Sequence, residues 1–287
     1  MTHWKLTLAY DGTPFHGWQI QPGLATVQGL LSDAIQRTVG ERVLPQGSGR
    51  TDTGVHALGQ VASFALGAPI PAANLHSALN RCLPPSIRIL SAESVLPGFH
   101  ARHSAIGKTY EYRIFPLKAA LLNSVSLKLD EAAPPIHRDP STPPREVICS
   151  PILAPYVWPC PWPLDIHALN DAASQVLGTH DFTSFAASDP DLTSRSRPEP
   201  SSNARSITQS RWHASNDLLI YRVTANGFLH HMVRNLVGTF VQCGAHRLAP
   251  NDIAAILAAR NRSAAGPTAP PTGLFLLNVE YATNTPQ

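Results

Sequence analysis

Cysteine is scarce and unpaired in this chain: Cys82, Cys149, Cys160 and Cys243 are its four thiols, and no two stand in Cys-x-x-Cys spacing. That scatter argues against a thiolate zinc site and for reduced, buried thiols in a cytosol. Charge is also low, at 14% of 287 residues. No apolar run approaches the ~20 residues that span a bilayer, so no membrane association is expected. The opening Met1-Thr2-His3-Trp4-Lys5 has no basic segment followed by an apolar one, so a signal peptide is not expected and the cytoplasm is the default address. The glycines at 47, 49 and 54 are not followed by Gly-Lys-Ser/Thr, which excludes a P-loop there.

What is present is an ordinary apolar share of 43%, enough for one large core or two modest ones. The net charge of +3 is unevenly spread. Residues 1–118 carry 10 Lys+Arg against 6 Asp+Glu, and the remainder 12 against 13. This mild basic excess suits a structured RNA if the arginines share a face, and suits a solvated surface equally well.

Periodicity outlines the elements. Trp4, Leu6, Leu8 and Tyr10 alternate as a strand, and Thr26 caps a helix that Gly40 closes. A helix over 72–83 stops at Pro84-Pro85, and strands follow at 87–95 and 108–115, the latter with Tyr110 and Tyr112 on one face. Further on, the pattern predicts helices over 165–177, 230–242 and 252–259. It predicts strands at 205–213, 218–224 and 273–281, with a hairpin turn at Ser215-Asn216-Asp217. Strands that read as antiparallel, mixed with helices, make the fold class α+β. Residues 134–163 hold ten of the 27 prolines, which predicts an irregular spacer.

Four segments could carry chemistry. Gly49-Arg50-Thr51-Asp52-Thr53-Gly54-Val55-His56-Ala57 places one aspartate in a polar loop before a strand. Asp52 there is a nucleophile or base, or a turn aspartate with Arg50 and His56 as salt partners. An aspartic protease needs a second carboxylate, and the chain has no second Asp-Thr-Gly or Asp-Ser-Gly. Tyr110 is a core aromatic or a stacking surface for a base. In Gly227 to Gly238, Arg234 sits among apolar residues and needs an anionic partner, for which Asp52 is the candidate. Adjacent histidines on a helix diverge by about 100°, so His230 and His231 read poorly as a metal pair. The closing strand, 273–281, is core, with a leucine at its start able to floor a pocket.

Together these segments resemble the tRNA pseudouridine synthase A family. Tyr10-Asp11-Gly12-Thr13-Pro14-Phe15-His16-Gly17-Trp18-Gln19-Ile20-Gln21-Pro22 and His180-Asp181-Phe182-Thr183-Ser184-Phe185 add to the likeness, which covers most of the chain in order. The resemblance implies two ferredoxin-like halves with largely antiparallel sheets around a central basic cleft, the pseudouridine synthase fold. It implies a first domain over 1–106 and a second over 107–287, with the Pro-rich insertion at about 118–163 as the main departure. It further implies a homodimer that acts on tRNA at uridines 38, 39 and 40 without metal or other cofactor. By the same resemblance Asp52 is the catalytic carboxylate, Tyr110 packs on the uracil, and Arg50 helps displace the base. Arg234 pairs with Asp52, and Leu274 or Leu276 supplies the apolar surface beside it. An RNA-binding protein without turnover and a dimeric aspartic protease are the competing classes. The presence of Asp52 weighs against the first, and the polar flank before it weighs against the second.

Overall fold

The computed structural model describes residues 1–117, 148–187 and 202–282. The strands are β1 (Thr2–Tyr10), β2 (Gln46–Gly47), β3 (His56–Leu66), β4 (Ile87–Val95) and β5 (Ala105–Pro116) in the first part of the chain. They continue as β6 (Trp158–Cys160), β7 (Gly178–Asp181), β8 (Ala204–Ser215), β9 (Leu218–Ala225) and β10 (Leu274–Tyr281). The helices are α1 (Val27–Val39), α2 (Ala72–Cys82), α3 (Ile166–Ser174), α4 (Met232–Gly244) and α5 (Asp252–Ala259).

All ten strands belong to one mixed sheet with the main path β4-β1-β3-β10-β5-β9-β8-β7. Antiparallel pairing dominates, as the alternating sequence pattern predicts. The exceptions are two parallel contacts: β10 beside β3, with Phe275 opposite His56, and β6 beside β5. The tail strand β10 is therefore the seam between the N-terminal strands and β5, β9 and β8. It is apolar on both faces at its start, where Leu274, Phe275 and Leu276 are all buried, as a strand covered on both sides requires.

Local signals account for the helices. Thr26 in extended backbone accepts from Gly29 N–H at 3.3 Å, and Gly40 ends α1 in the left-handed region at φ 78°. Asp165 caps α3 through His167 N–H at 2.8 Å. That helix ends at Ser174, three residues short of the predicted 177, and β7 begins at Gly178. Helix α4 is buried almost all round, and Gly238 on it lies under the carbonyl of Pro267 so closely that no Cβ would fit.

One expectation is corrected. The Pro-rich stretch was expected to exclude regular structure, yet Ala154–Tyr156 forms a 3₁₀ turn and Trp158–Cys160 pairs with β5. Both fit proline chemistry, because a short edge strand tolerates a residue without an N–H. Residues 118–147 of the same stretch lie outside the described residues.

Candidate active site

Asp52 sits in a turn closed by Val55 N–H donating to the Asp52 carbonyl at 3.1 Å. Gly54 takes φ 76° in this turn, a conformation a side chain would strain. Two neighbours fix the loop. Trp18 N–H donates to the Thr51 carbonyl at 3.0 Å, and Tyr10 Oη and Thr51 Oγ1 share a buried bond of 2.8 Å. Behind it, Ser48 donates to Gln60 Oε1 at 2.6 Å, and Gln60 donates to the Gly49 carbonyl at 2.9 Å. The carboxylate is thus mounted on a hydrogen-bonded frame and stays partly open to solvent.

Arg234 meets it from α4. Its Nη1 donates to Asp52 Oδ2 at 2.8 Å, while Nε donates to the Ala269 carbonyl at 2.8 Å. The charged pair anticipated between these two residues is therefore formed, across 182 residues of chain. Two histidines complete the surround. His231 Nε2 lies 3.2 Å from Oδ2, and His230 Nε2 lies 3.6 Å from Oδ1. The sequence reading placed this pair on a helix and so pointed the rings apart. In the structure His231 is the residue before α4, with φ 57° in the left-handed region, and both rings turn toward the carboxylate. One ligand atom each from Asp52, His230 and His231 lie within 4.8 Å of one another. A cation there would have to compete with the guanidinium already on Oδ2. Burial pushes the His231 imidazole below its ordinary pKa, only partly offset by Asp52, and neighbouring His230, Arg234 and Arg262 push it the same way as burial.

Tyr110 is 7% exposed and lines the same cleft, edge-on to Phe228 with ring centroids 5.0 Å apart. Burial raises its phenol above the ordinary range, with Tyr10 and Asp52 adding to the effect, so it is a protonated hydroxyl at neutral pH. Leu274 also lines the cleft, whereas Leu276, opposite Tyr110 across the β10–β5 ladder, is fully buried. Of the two leucines offered as a pocket floor, Leu274 alone is in place to serve. Arg50 is exposed on the cleft wall.

His56 is not a partner of Asp52. Its Nδ1 accepts from Gly12 N–H at 3.0 Å, and Nε2 faces the carbonyls of Pro155 and Thr272 at 3.1 and 3.2 Å. The ring stacks on Phe275 and clamps three loops together. The adjacency of His56 to Asp52 in sequence is misleading because β3 starts at His56 and turns it into the sheet.

The cleft has a volume of about 1100 Å³ and is walled by loops preceding β3 on one side and α4 on the other. Arg50, Arg102, Lys108, Arg205 and Arg234 line it, and Asp52 is the one carboxylate among the described lining residues. The sequence did not single out Arg102, Lys108 or Arg205. Lys108 alone left a signal, standing two positions before Tyr110 on the same strand face.

A single carboxylate with a fixed counter-charge, set in a cation-rich groove beside a buried aromatic, suits a site that holds a polyanion carrying aromatic bases, as a nucleic acid is. A sequence model described as tRNA pseudouridine synthase matches residues 7–104 and 172–282. The chain is 44% identical to tRNA pseudouridine synthase A of Solibacter usitatus, over 96% of this chain and 98% of that protein. It is 41% identical to the Moorella thermoacetica protein of the same name, over 96% and 98% of the two chains. For the protein of that name from Rhodopseudomonas palustris strain BisB5 the identity is 39%, over 98% of this chain and 100% of the relative. The chain belongs to the tRNA pseudouridine synthase family.

Proposed function

We propose that this protein isomerises uridine to pseudouridine in tRNA, with Asp52 as the catalytic carboxylate. In the reaction the N1–C1′ bond breaks, a C5–C1′ bond forms, C5 loses its proton and N1 gains one, so substrate and product have the same formula. The conjugated uracil ring takes up the electrons itself, and the chemistry therefore calls for no redox group and no metal. The observation that carries the reading is the Asp52–Arg234 contact of 2.8 Å at the floor of the cationic cleft.

Asp52 acts at the sugar and Arg234 holds its Oδ2. Tyr110, its face shaped by Phe228, packs on the uracil, and its protonated hydroxyl is a donor at the base edge. A uridine in or beside a stem must leave its stack, at a cost of a few kcal/mol, and Arg50 on the cleft wall fills the space it vacates. Leu274 excludes water from the carboxylate. The substrate positions are uridines 38, 39 and 40 of the anticodon arm, and the acting unit is a cytoplasmic homodimer. A second subunit would grip the tRNA body, which suits a chain whose own net charge is only +3.

The test mixes purified protein, without added metal or nucleotide, with an unmodified tRNA transcript carrying uridines at 38 to 40. Carbodiimide-dependent reverse-transcription stops at those positions with wild type, absent with Asp52→Asn, are the expected result. Tight tRNA binding with no stops from folded wild type would instead leave an RNA-binding protein without turnover. Light scattering on the same sample reads the dimer.

A further inference from the structure

The end of the cleft away from Asp52 has a chemistry of its own. Lys108 on β5 and Arg205 on β8 face it, Arg102 and His103 also line it, and Asn226 and Gly227 lie beside the Arg205 segment. We propose that Lys108 and Arg205, with Arg102 beside them, form a phosphate subsite for the RNA backbone next to the nucleotide that Asp52 acts on. The inference rests on the uridine-isomerising reading for its substrate, and on geometry for its place.

Three observations support it. First, Lys108 Nζ donates to the Ser48 carbonyl at 2.6 Å, in the loop that continues to Arg50 and Asp52. The ammonium is thereby held at one spot, unlike a lysine on a free surface. Second, the lysine and the aromatic line the same cleft side by side. Lys108 and Tyr110 are two residues apart on one strand face, about 7 Å along it. Gly49 borders both, and a Cβ there would lie 3.3 Å from Lys108 Nζ and 4.0 Å from Tyr110 Oη. A nucleotide with its base on Tyr110 thus brings a neighbouring phosphate to Lys108. Third, the cations oppose one another. Burial lowers the pKa of Lys108 to about 8, with Arg102 and Arg205 adding to the effect, and burial followed by Arg102 lowers Arg205. An anion between them relieves that repulsion. Arg205 is preset for it, because its Nη1 is tied to the carbonyls of Ser202 and Ala204 at 2.9 and 2.7 Å.

The experiment compares wild type with Lys108→Met, Lys108→Arg and Arg205→Gln on a tRNA transcript, measuring KM, kcat and the salt dependence of binding. A parallel substrate carries a neutral methylphosphonate at single phosphates flanking the target uridine. Lys108→Met is expected to raise KM about tenfold or more with kcat nearly kept, and to reduce the salt slope by about one. Lys108→Arg should restore both, and Arg205→Gln should move KM in the same direction. One flanking methylphosphonate should weaken wild type and leave Lys108→Met unaffected. Unchanged KM and slope in Lys108→Met would overturn the subsite. So would a kcat loss that Lys108→Arg does not restore, since that marks a role in bracing the Ser48 loop alone. If wild type binds tRNA without isomerising it, the functional reading fails, while the salt slopes and methylphosphonate arms still decide the subsite.

Discussion

His231 reaches Asp52 from a left-handed backbone: its Nε2 lies 3.2 Å from Oδ2 while its own φ is 57°. A non-glycine residue in that region is strained by about 1–2 kcal/mol, and here the strain aims the ring at the carboxylate. The residue just before α4 is thus bent into the site.

Asparagine tolerates this conformation better than most side chains, so His231→Asn should keep the fold, whereas His231→Val should destabilise it by about 1–2 kcal/mol. Urea midpoints of the two variants check the difference. The pH sign follows from burial. With its folded pKa lowered, the ring binds its proton less readily than in the unfolded chain, so this group makes stability fall as pH drops below the ordinary histidine range. Protonation would also place a second cation on Asp52. Wild-type kcat should therefore decline on acidification, and His231→Asn should move that limb. An unmoved limb would exclude His231 as its source.

Arg234→Gln should keep substrate binding largely intact and lower kcat by about a hundredfold or more, because it removes the fixed counter-charge from Asp52. Single-turnover and steady-state assays separate the two effects. A rise confined to KM would place Arg234 in RNA binding alone.

Lys108 gives a second pH signature. At pH below about 8 it is cationic in the free protein, and above that value it is neutral. Binding a phosphate then requires uptake of one proton, so tRNA affinity should fall by up to about tenfold per pH unit above 8. Lys108→Arg keeps its charge throughout and should abolish this slope. Arg102 and Arg205 face the same ammonium and remain charged across the range. A wild-type affinity that is flat to pH 10 would exclude the linkage.

On the opposite face of β5, Glu111 is 5% exposed and held by Arg222 Nη2 at 2.6 Å and Arg113 Nε at 2.9 Å. Burial pushes its carboxyl up, but the hydrogen bonds from Arg222 and Arg113 outweigh it, so the net shift is downward. Its contribution to stability is accordingly present above the ordinary glutamate range and lost as pH falls through the lowered value. Glu111→Gln leaves two arginines at a half-closed site and should cost about 1–3 kcal/mol, less than a fully buried pair because the Arg222 side chain is partly exposed. Denaturation in urea at neutral pH measures it, and the gap to wild type should narrow at acid pH.

Local chemistry was legible wherever a side chain acts on its own stretch of backbone. Thr26 and Gly40 bound α1 as expected, and the alternation of Trp4, Leu6, Leu8 and Tyr10 reads directly as a strand with one face inward. The helix of residues 252–259 and the strand of 87–95 fall at their predicted limits. The pairing of Arg234 with Asp52 was also deducible, because an arginine among apolar residues needs an anion and Asp52 stands in the polar loop already marked for chemistry.

Other features depend on contacts that no window of sequence contains. The place of β10 between β3 and β5 is decided by which strands have open edges once the rest of the sheet has formed. The short strand at Trp158–Cys160 exists because β5 offers it an edge, despite its prolines. The convergence of His230 and His231 comes from one left-handed residue, and the diversion of His56 from the entry of β3 into the sheet. Lys108 and Arg205 share a cleft although 97 positions separate them in sequence. The sequence by itself determined the elements, their buried faces and the residue types able to do the chemistry, because propensity and periodicity are local. The tertiary structure alone decided which of those residues meet, because burial and charge pairing are satisfied between distant parts of the chain.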